Sequence, residues 1–156
     1  MLLPPWFGRR YPSPEDLEDW ATEMGCTVGA TRFGKGGFIA AGQGEPPVIL
    51  VPDLNGPLAW SWALAHELGH LSQHEGPKGE LAWSRDEAQA NRWAARALIP
   101  EAAVRRHGNA SEDAFMAALS RHYEDLPLHP CTERRLAARI ARIRLGCFET
   151  QLPEAQ

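Results

Sequence analysis

Residues 58–74 form the stretch that limits the fold most, because it is largely apolar and has a single glycine as its only potential helix breaker. The preceding residues, 53–57, form a capping sequence that ends in a proline suited to the first helical turn. A helix this apolar should lie at the centre of the molecule. His66, Glu67 and His70 fall inside it, where burial without partners would be costly. The sequence therefore predicts a central helix that carries a polar site.

The rest of the chain predicts a small sheet beside a helical bundle, an α+β fold. Three short β-prone runs are separated by turn residues, and we interpret the glycine cluster 34–37 as a hairpin turn between the first two. We therefore expect a mostly antiparallel, three-stranded sheet. The predicted strands are 27–33, 37–41 and 47–51, and the other predicted helices are 13–24, 83–99, 101–107, 112–123 and 132–145, with Gly146 as the stop of the last helix.

The length of 156 residues suits one domain with a single core. We expect an N-terminal extension over residues 1–12, a single domain over 13–146 and a C-terminal tail over 147–156. Within the domain, residues 13–100 should form the core that carries the site, and residues 101–146 a helical C-terminal part. Five arginines in the last predicted helix alternate with an apolar stripe, and this pattern favours an amphipathic helix packed on the domain over a nucleic-acid surface.

Composition restricts the environment and the partners of the chain. The formal net charge of −4 disfavours nucleic-acid binding by bulk charge. The three cysteines form no Cys-x-x-Cys pair, which fits a reducing compartment. The basic pair Arg9-Arg10 follows a short apolar run, the reverse of a secretion signal, and no stretch approaches the roughly 20 apolar residues of a membrane span. We expect a cytoplasmic protein that binds neither membrane nor nucleic acid.

His66-Glu67-Leu68-Gly69-His70 has the residue types and spacing of a zinc-peptidase motif. Residues four apart lie one turn apart on the same face of a helix, so the two imidazoles can converge on one ion. Zn²⁺ suits imidazole nitrogen and carboxylate oxygen, although Mn²⁺ or Fe²⁺ can replace it at such sites. Glu67 is placed to accept a proton from the attacking water. The alternative is a solvated helix end or a hydrogen-bonded core histidine.

A catalytic metal site needs a third protein ligand. The metzincin pattern is excluded, because Gly76 stands where that pattern has its third histidine and Gln73 where it has a glycine. A carboxylate from a following segment remains, and the candidates are Glu75, Glu80, Asp86 and Glu87.

Glu87 is the best placed of these candidates. It begins a helix face of small residues that would allow close approach to the first helix, comprising Ala90, Asn91, Ala94, Ala97 and Leu98. Asp86 should point elsewhere, because neighbouring helical residues differ in direction by about 100°. The alternative for Glu87 is an exposed first-turn acid that interacts with the helix dipole.

Other polar residues could support the site. His74 lies one turn beyond His70 and could be an alternative ligand, although we favour a position at the rim. Asn91 could orient a ligand, and an ordinary surface amide is the alternative. A donor for the oxyanion is also expected, and His107, His122 and Tyr123 are candidates, but each is more often a surface or packing residue, so that donor is not assigned.

The motif and its surroundings resemble the ImmA/IrrE family of metallopeptidases. The resemblance lies in residues 63–70 and in the run from Glu87-Ala88-Gln89-Ala90-Asn91 to Leu98-Ile99-Pro100, with Trp93 where that family usually has phenylalanine. It extends more weakly over residues 13–145.

The resemblance implies a gluzincin-like site in which His66, His70 and Glu87 bind zinc and Glu67 acts as the general base. It further implies an endopeptidase that cleaves a specific protein, a helix-turn-helix transcriptional repressor, in stress responses or mobile elements. One alternative is a non-catalytic regulatory or partner-binding module with a structural zinc site. A second is a transcription factor that uses the basic last helix.

Overall fold

The computed structural model describes residues 3–32, 37–40, 44–53, 56–73, 80–107, 111–123 and 130–154. Within these ranges the chain combines helices with one small sheet, as predicted. The elements are α1 (Pro14–Glu23), β1 (Thr27–Thr31), β2 (Phe38–Ala40), β3 (Val48–Pro52), α2 (Gly56–Gln73), α3 (Glu80–Leu98), α4 (Glu101–His107), α5 (Glu112–His122) and α6 (Pro130–Glu154).

Helix α1 begins where its capping sequence predicts. The Asp16 backbone N–H donates to the Ser13 hydroxyl at 3.1 Å, and the Ser13 N–H donates to the Asp16 carboxylate at 2.8 Å, so this is a full capping box. Pro14 occupies the first turn, where its missing N–H removes no hydrogen bond. Gly25, with φ of 83°, follows the helix and lets the chain turn into β1.

The sheet is mixed, so the expectation of a mostly antiparallel sheet is wrong. Its strand order is β1-β3-β2, with β1 parallel to β3 and β2 antiparallel to it. Residues 34–36 of the glycine cluster lie outside the described part of the chain. β1 and β2 lie on opposite sides of β3 and do not pair with each other, so they form no hairpin. The cause is the apolar run of β3, residues 48–51, which takes the central position and buries Ile49 and Val51 in the core.

Helix α2 is central, as its composition predicts. It packs against α1, α3, α6 and β3. The residues of this core are fully or almost fully buried and include Leu17 of α1, Ile49 and Val51 of β3, Leu64, Ala65 and Leu68 of α2, and Ala94 and Leu98 of α3. The site carried by α2 is therefore held by packing on several sides.

The segment before α1 packs onto the helices. Trp6 is buried, and the Phe7 ring lies 5.3 Å from the ring of Trp93. The Ala102 N–H donates to the Gly8 carbonyl at 3.0 Å. Residues 3–12 are thus fixed to α3 and α4.

Helix α6 continues to Glu154, so the expectation that it ends at Gly146 is wrong. Gly146 lies on the exposed side of the helix while the next residue, Cys147, is buried. A glycine inside a helix costs only about 1 kcal/mol relative to alanine, and burial of Cys147 offsets that cost.

Arg144 departs from the predicted charged face of α6, because its side chain is only 1% exposed. It donates to the Ile99 carbonyl at 2.7 Å and to the Glu101 carboxylate at 2.9 Å. It thereby joins α6 to the turn between α3 and α4. No helix within the described ranges has the length and apolar character needed to cross a membrane.

Candidate metal centre

Helices α2 and α3 bring two imidazoles and one carboxylate together. The Nε2 atoms of His66 and His70 are 3.1 Å apart. One oxygen of Glu87 lies 2.7 Å from His70 Nε2 and the other lies 3.3 Å from His66 Nε2. Among the described residues these three form the one group of histidine, cysteine or acidic side chains with metal-binding geometry. The structure thus brings together the three residues that the sequence predicts as ligands.

The close approach of α2 and α3 depends on Gly69. A Cβ atom added at Gly69 would lie 2.9 Å from the Ala90 carbonyl oxygen, closer than real Cβ atoms come, and 3.0 Å from the Ala90 Cα, which is also a tight contact. The facing positions of α3 are the small residues of the predicted face, and Ala90, Ala94 and Ala97 are completely buried. Because Gly69 lies between the two histidines, this approach sets the distance from them to Glu87.

Asn91 fixes the orientation of His66. The Nδ1–H of His66 donates to the Asn91 side-chain oxygen at 2.8 Å, so the Nε2 lone pair faces His70 and Glu87. Burial lowers the pKa of the His66 imidazole despite the opposing effect of Glu87. The ring is therefore neutral near pH 7, as metal coordination requires.

Glu67 lies beside the cluster but is held in a more apolar environment. It is only 7% exposed. Gly37, just before β2, packs against it, since a Cβ at Gly37 would lie 3.1 Å from Glu67 Cγ. Burial, and secondarily the charge of Glu87, raise the pKa of the Glu67 carboxyl to about 7. Such a carboxyl can both accept and release a proton near neutral pH.

The donor set fits a divalent transition metal. Two histidines and one glutamate form a known class of catalytic zinc site. A tetrahedral ion with ligands at about 2.0–2.1 Å separates its ligand atoms by roughly 3.3 Å. The two Nε2 atoms are 3.1 Å apart, and the two oxygens of Glu87 lie 2.7 Å and 3.3 Å from them, one oxygen near each ring. The histidine side chains are 15% exposed and that of Glu87 is 42% exposed, so the cluster opens to solvent on the Glu87 side.

The other candidate residues differ in their placement. Asp86 is not among the residues gathered at the cluster. His74 and Glu75 lie outside the described residues, and so do the side chains of Glu80 and His107.

Two of the candidate oxyanion donors have a packing role. The Tyr123 hydroxyl donates to the Pro12 carbonyl at 2.7 Å, and His122 Nε2 lies 3.1 Å from the same oxygen. Both side chains therefore hold the N-terminal segment.

Sequence reasoning missed the roles of Gly69 and Gly37. The signal for Gly69 was available, because a glycine between the two histidines faces a run of alanines on the next helix. Gly37 gave no comparable signal, since its contact with Glu67 depends on how the sheet packs against α2.

Comparison with known protein families gives a match over most of the chain. The model of the peptidase M78 family, described as the IrrE N-terminal-like domain, matches residues 21–126, a range that contains the whole cluster. No curated protein and no solved structure matches significantly.

Proposed function

The chain belongs to the peptidase M78 family of IrrE N-terminal-like domains, and from this premise we propose that it is a zinc-dependent endopeptidase that cleaves one specific protein. Membership of this family supports a metallopeptidase-type function on a protein substrate. The observation that carries the proposal is the gathering of His66, His70 and Glu87 beside the buried carboxyl of Glu67.

Each residue of the site has a distinct role in this proposal. His66, His70 and Glu87 would hold the ion, and Asn91 keeps His66 in the tautomer that a ligand needs. When bound, zinc supplies a Lewis acid that polarises the scissile carbonyl and acidifies water. Glu67 accepts the proton of the attacking water and passes it to the leaving amine, and a pKa of about 7 suits both steps.

Glu67 also favours catalysis over the alternative of a non-catalytic module with a structural zinc site. A structural site is closed by four protein ligands, whereas three donors gather here among the described residues. A closed structural site needs no additional carboxyl beside its ligands, and burying one is energetically costly, so the buried Glu67 favours a catalytic role.

The substrate we propose is a helix-turn-helix transcriptional repressor, cleaved in a stress response. This step rests on the resemblance of residues 63–70 and 87–100 to the ImmA/IrrE family. We also propose a cytoplasmic location, which the buried free thiols of Cys26 and Cys147 support, because such thiols persist in reducing compartments.

The experiment compares the zinc-loaded protein with its Glu67→Gln variant on purified helix-turn-helix repressors encoded near its gene. We expect fragments from the unaltered protein and none from Glu67→Gln, with equal zinc content in both. Glu23→Gln, which changes an exposed glutamate at the end of α1, is the control and should cleave normally. Cleavage by Glu67→Gln at the normal rate would exclude Glu67 as the general base. Zinc binding without any fragments would favour the non-catalytic alternative.

A further inference from the structure

Three arginines form an exposed stripe along α6. Arg135, Arg139 and Arg142 are spaced by four and three residues, so they lie on one face of the helix, and all three are exposed. We refer to these three residues as the arginine face. The arginine face is distinct from Arg144, which points into the core.

Arg139 connects the arginine face to the candidate metal centre. Its guanidinium carbon lies 5.9 Å from the centre of the Trp62 ring. The Trp62 ring in turn lies 6.5 Å from the ring of His66, one turn further along α2. Trp62 is buried, so Arg139 covers it on the solvent side. A single aromatic ring therefore separates the arginine face from one of the proposed metal ligands.

The charges of the arginine face are only partly neutralised. Glu112 of α5 pairs with Arg142 at 3.2 Å. No carboxylate in the described part of the chain pairs with Arg135 or Arg139. An acidic ligand is therefore favoured at the arginine face, beside the metal centre.

We propose that Arg135 and Arg139 bind an acidic segment of the protein substrate, a few residues away from the bond that is cleaved. The inference rests on the proposed function and specifies, in addition, that the substrate carries a negatively charged segment near its cleavage site. Two ring contacts span the path from His66 to Arg139, a distance that about three or four residues of extended chain can cover. The arginine face thereby selects substrates whose acidic residues lie about three or four positions from the scissile bond.

A nucleic acid fits this surface less well. The arginine face offers three cations along about 10 Å of helix. A protein that depends on the DNA backbone for affinity makes about six to ten phosphate contacts, more than three arginines can supply. The chain as a whole carries a formal net charge of −4. A short acidic peptide segment matches both the size and the position of the surface.

The test measures binding in the Glu67→Gln background, so that it does not depend on cleavage. Fluorescence anisotropy would follow a labelled dodecapeptide with four glutamates and its counterpart with four glutamines, at low salt. We expect the acidic peptide to bind at least about five-fold more tightly. The double variant Arg135→Gln/Arg139→Gln should lose this preference, and Arg135→Lys/Arg139→Lys should keep most of it. The matched control, Arg105→Gln/Arg106→Gln, removes two exposed arginines of α4 and should bind like the parent.

Three results would overturn the proposal. The first is equal binding of the two peptides. The second is the same loss of preference in the α4 control, which would indicate a non-specific charge effect. The third is tighter binding of a DNA duplex than of the acidic peptide, lost in Arg135→Gln/Arg139→Gln, which would assign the arginine face to nucleic acid. Failure of the proposed function would instead appear as the absence of Glu67-dependent cleavage. The peptide-binding measurement does not depend on cleavage, so the two failures can be told apart.

Discussion

The amide of Asn91 acts on the metal centre through a single hydrogen bond. It accepts the Nδ1–H of His66 at 2.8 Å and so directs the other ring nitrogen towards His70 and Glu87. Replacement by leucine keeps the side-chain volume but removes the acceptor. We expect Asn91→Leu to bind zinc about 10- to 100-fold more weakly, as measured by competition with a chelator of known affinity.

The conservative variant separates this role from packing. Asn91→Asp keeps an oxygen acceptor at the same place and should bind zinc nearly as well as the unaltered protein. If Asn91→Leu and Asn91→Asp lost affinity equally, the hydrogen bond would not be the cause.

Asp16 gives the stability of the fold a specific pH dependence. A hydrogen bond from Arg10 is the main cause that lowers the pKa of this carboxyl to about 2, and the Ser13 backbone N–H adds to it. Because the folded-state pKa is lower than the unfolded value of about 3.9, the stabilisation is complete above pH ~4 and is lost as the pH falls towards 2.

The Asp16→Asn variant tests this dependence. Its free energy of unfolding should be lower than that of the unaltered protein at pH 7, and the two should converge between pH 4 and 2 in urea titrations. Glu15→Gln, an exposed acid in the same helical turn, should show a smaller difference. A gap between Asp16→Asn and the unaltered protein that stayed constant down to pH 2 would contradict the assignment.

At the level of the elements, the contact between α2 and α3 depends on the missing side chain of Gly69. An added methyl group would meet the Ala90 backbone at 2.9 Å, and backbone cannot move aside as a flexible side chain can. We expect Gly69→Ala to lower the free energy of unfolding by about 1–3 kcal/mol and to weaken zinc binding, since α3 carries Glu87. Urea unfolding and chelator competition measure the two effects.

Gly146 provides the matched control, because it also lies inside a helix but has no atom within 4 Å of an added Cβ. Gly146→Ala should raise the free energy of unfolding by roughly 0.5–1 kcal/mol, from helix propensity alone. Stabilisation by both substitutions would mean that α2 and α3 are not in close contact at Gly69.

Local sequence signals located the helices and strands but did not predict how the strands pair. Ser13, Pro14 and Gly25 act within one or two turns of chain, and the bounds of α1 follow from them. Strand order depends on which strand buries the most apolar surface, and this is a property of the packed molecule. The central position of β3 therefore could not be derived from the turn residues of the neighbouring loops.

For the whole molecule, metal binding should couple to folding. The proposed ligands come from two helices, so an ion held by His66, His70 and Glu87 would join α2 to α3 and favour the folded state. At free zinc 100-fold above the dissociation constant, the stabilisation would be about 2.7 kcal/mol. Thermal unfolding with zinc and with a chelator should show the difference, and His70→Ala should abolish it. An equal response of His70→Ala would mean that zinc binds elsewhere.

The gathering of His66, His70 and Glu87 was predictable because each step uses a helical period. Four residues separate the histidines, and the alanines that follow Glu87 mark the face that packs on α2. The link from Trp62 to Arg139 was not predictable, since it joins α2 to α6 across the tertiary fold.

The attachment of the N-terminal segment has a consequence for the order of events during synthesis. The Pro12 carbonyl accepts its hydrogen bond from Tyr123, 111 positions later in the chain. At about 5–20 residues per second, a ribosome adds that tyrosine roughly 6–22 s after the proline. Residues 66–87, which contain the whole cluster, emerge within a much shorter interval. We therefore expect the residues of the cluster to be available for packing before the hydrogen bond between Tyr123 and Pro12 can close.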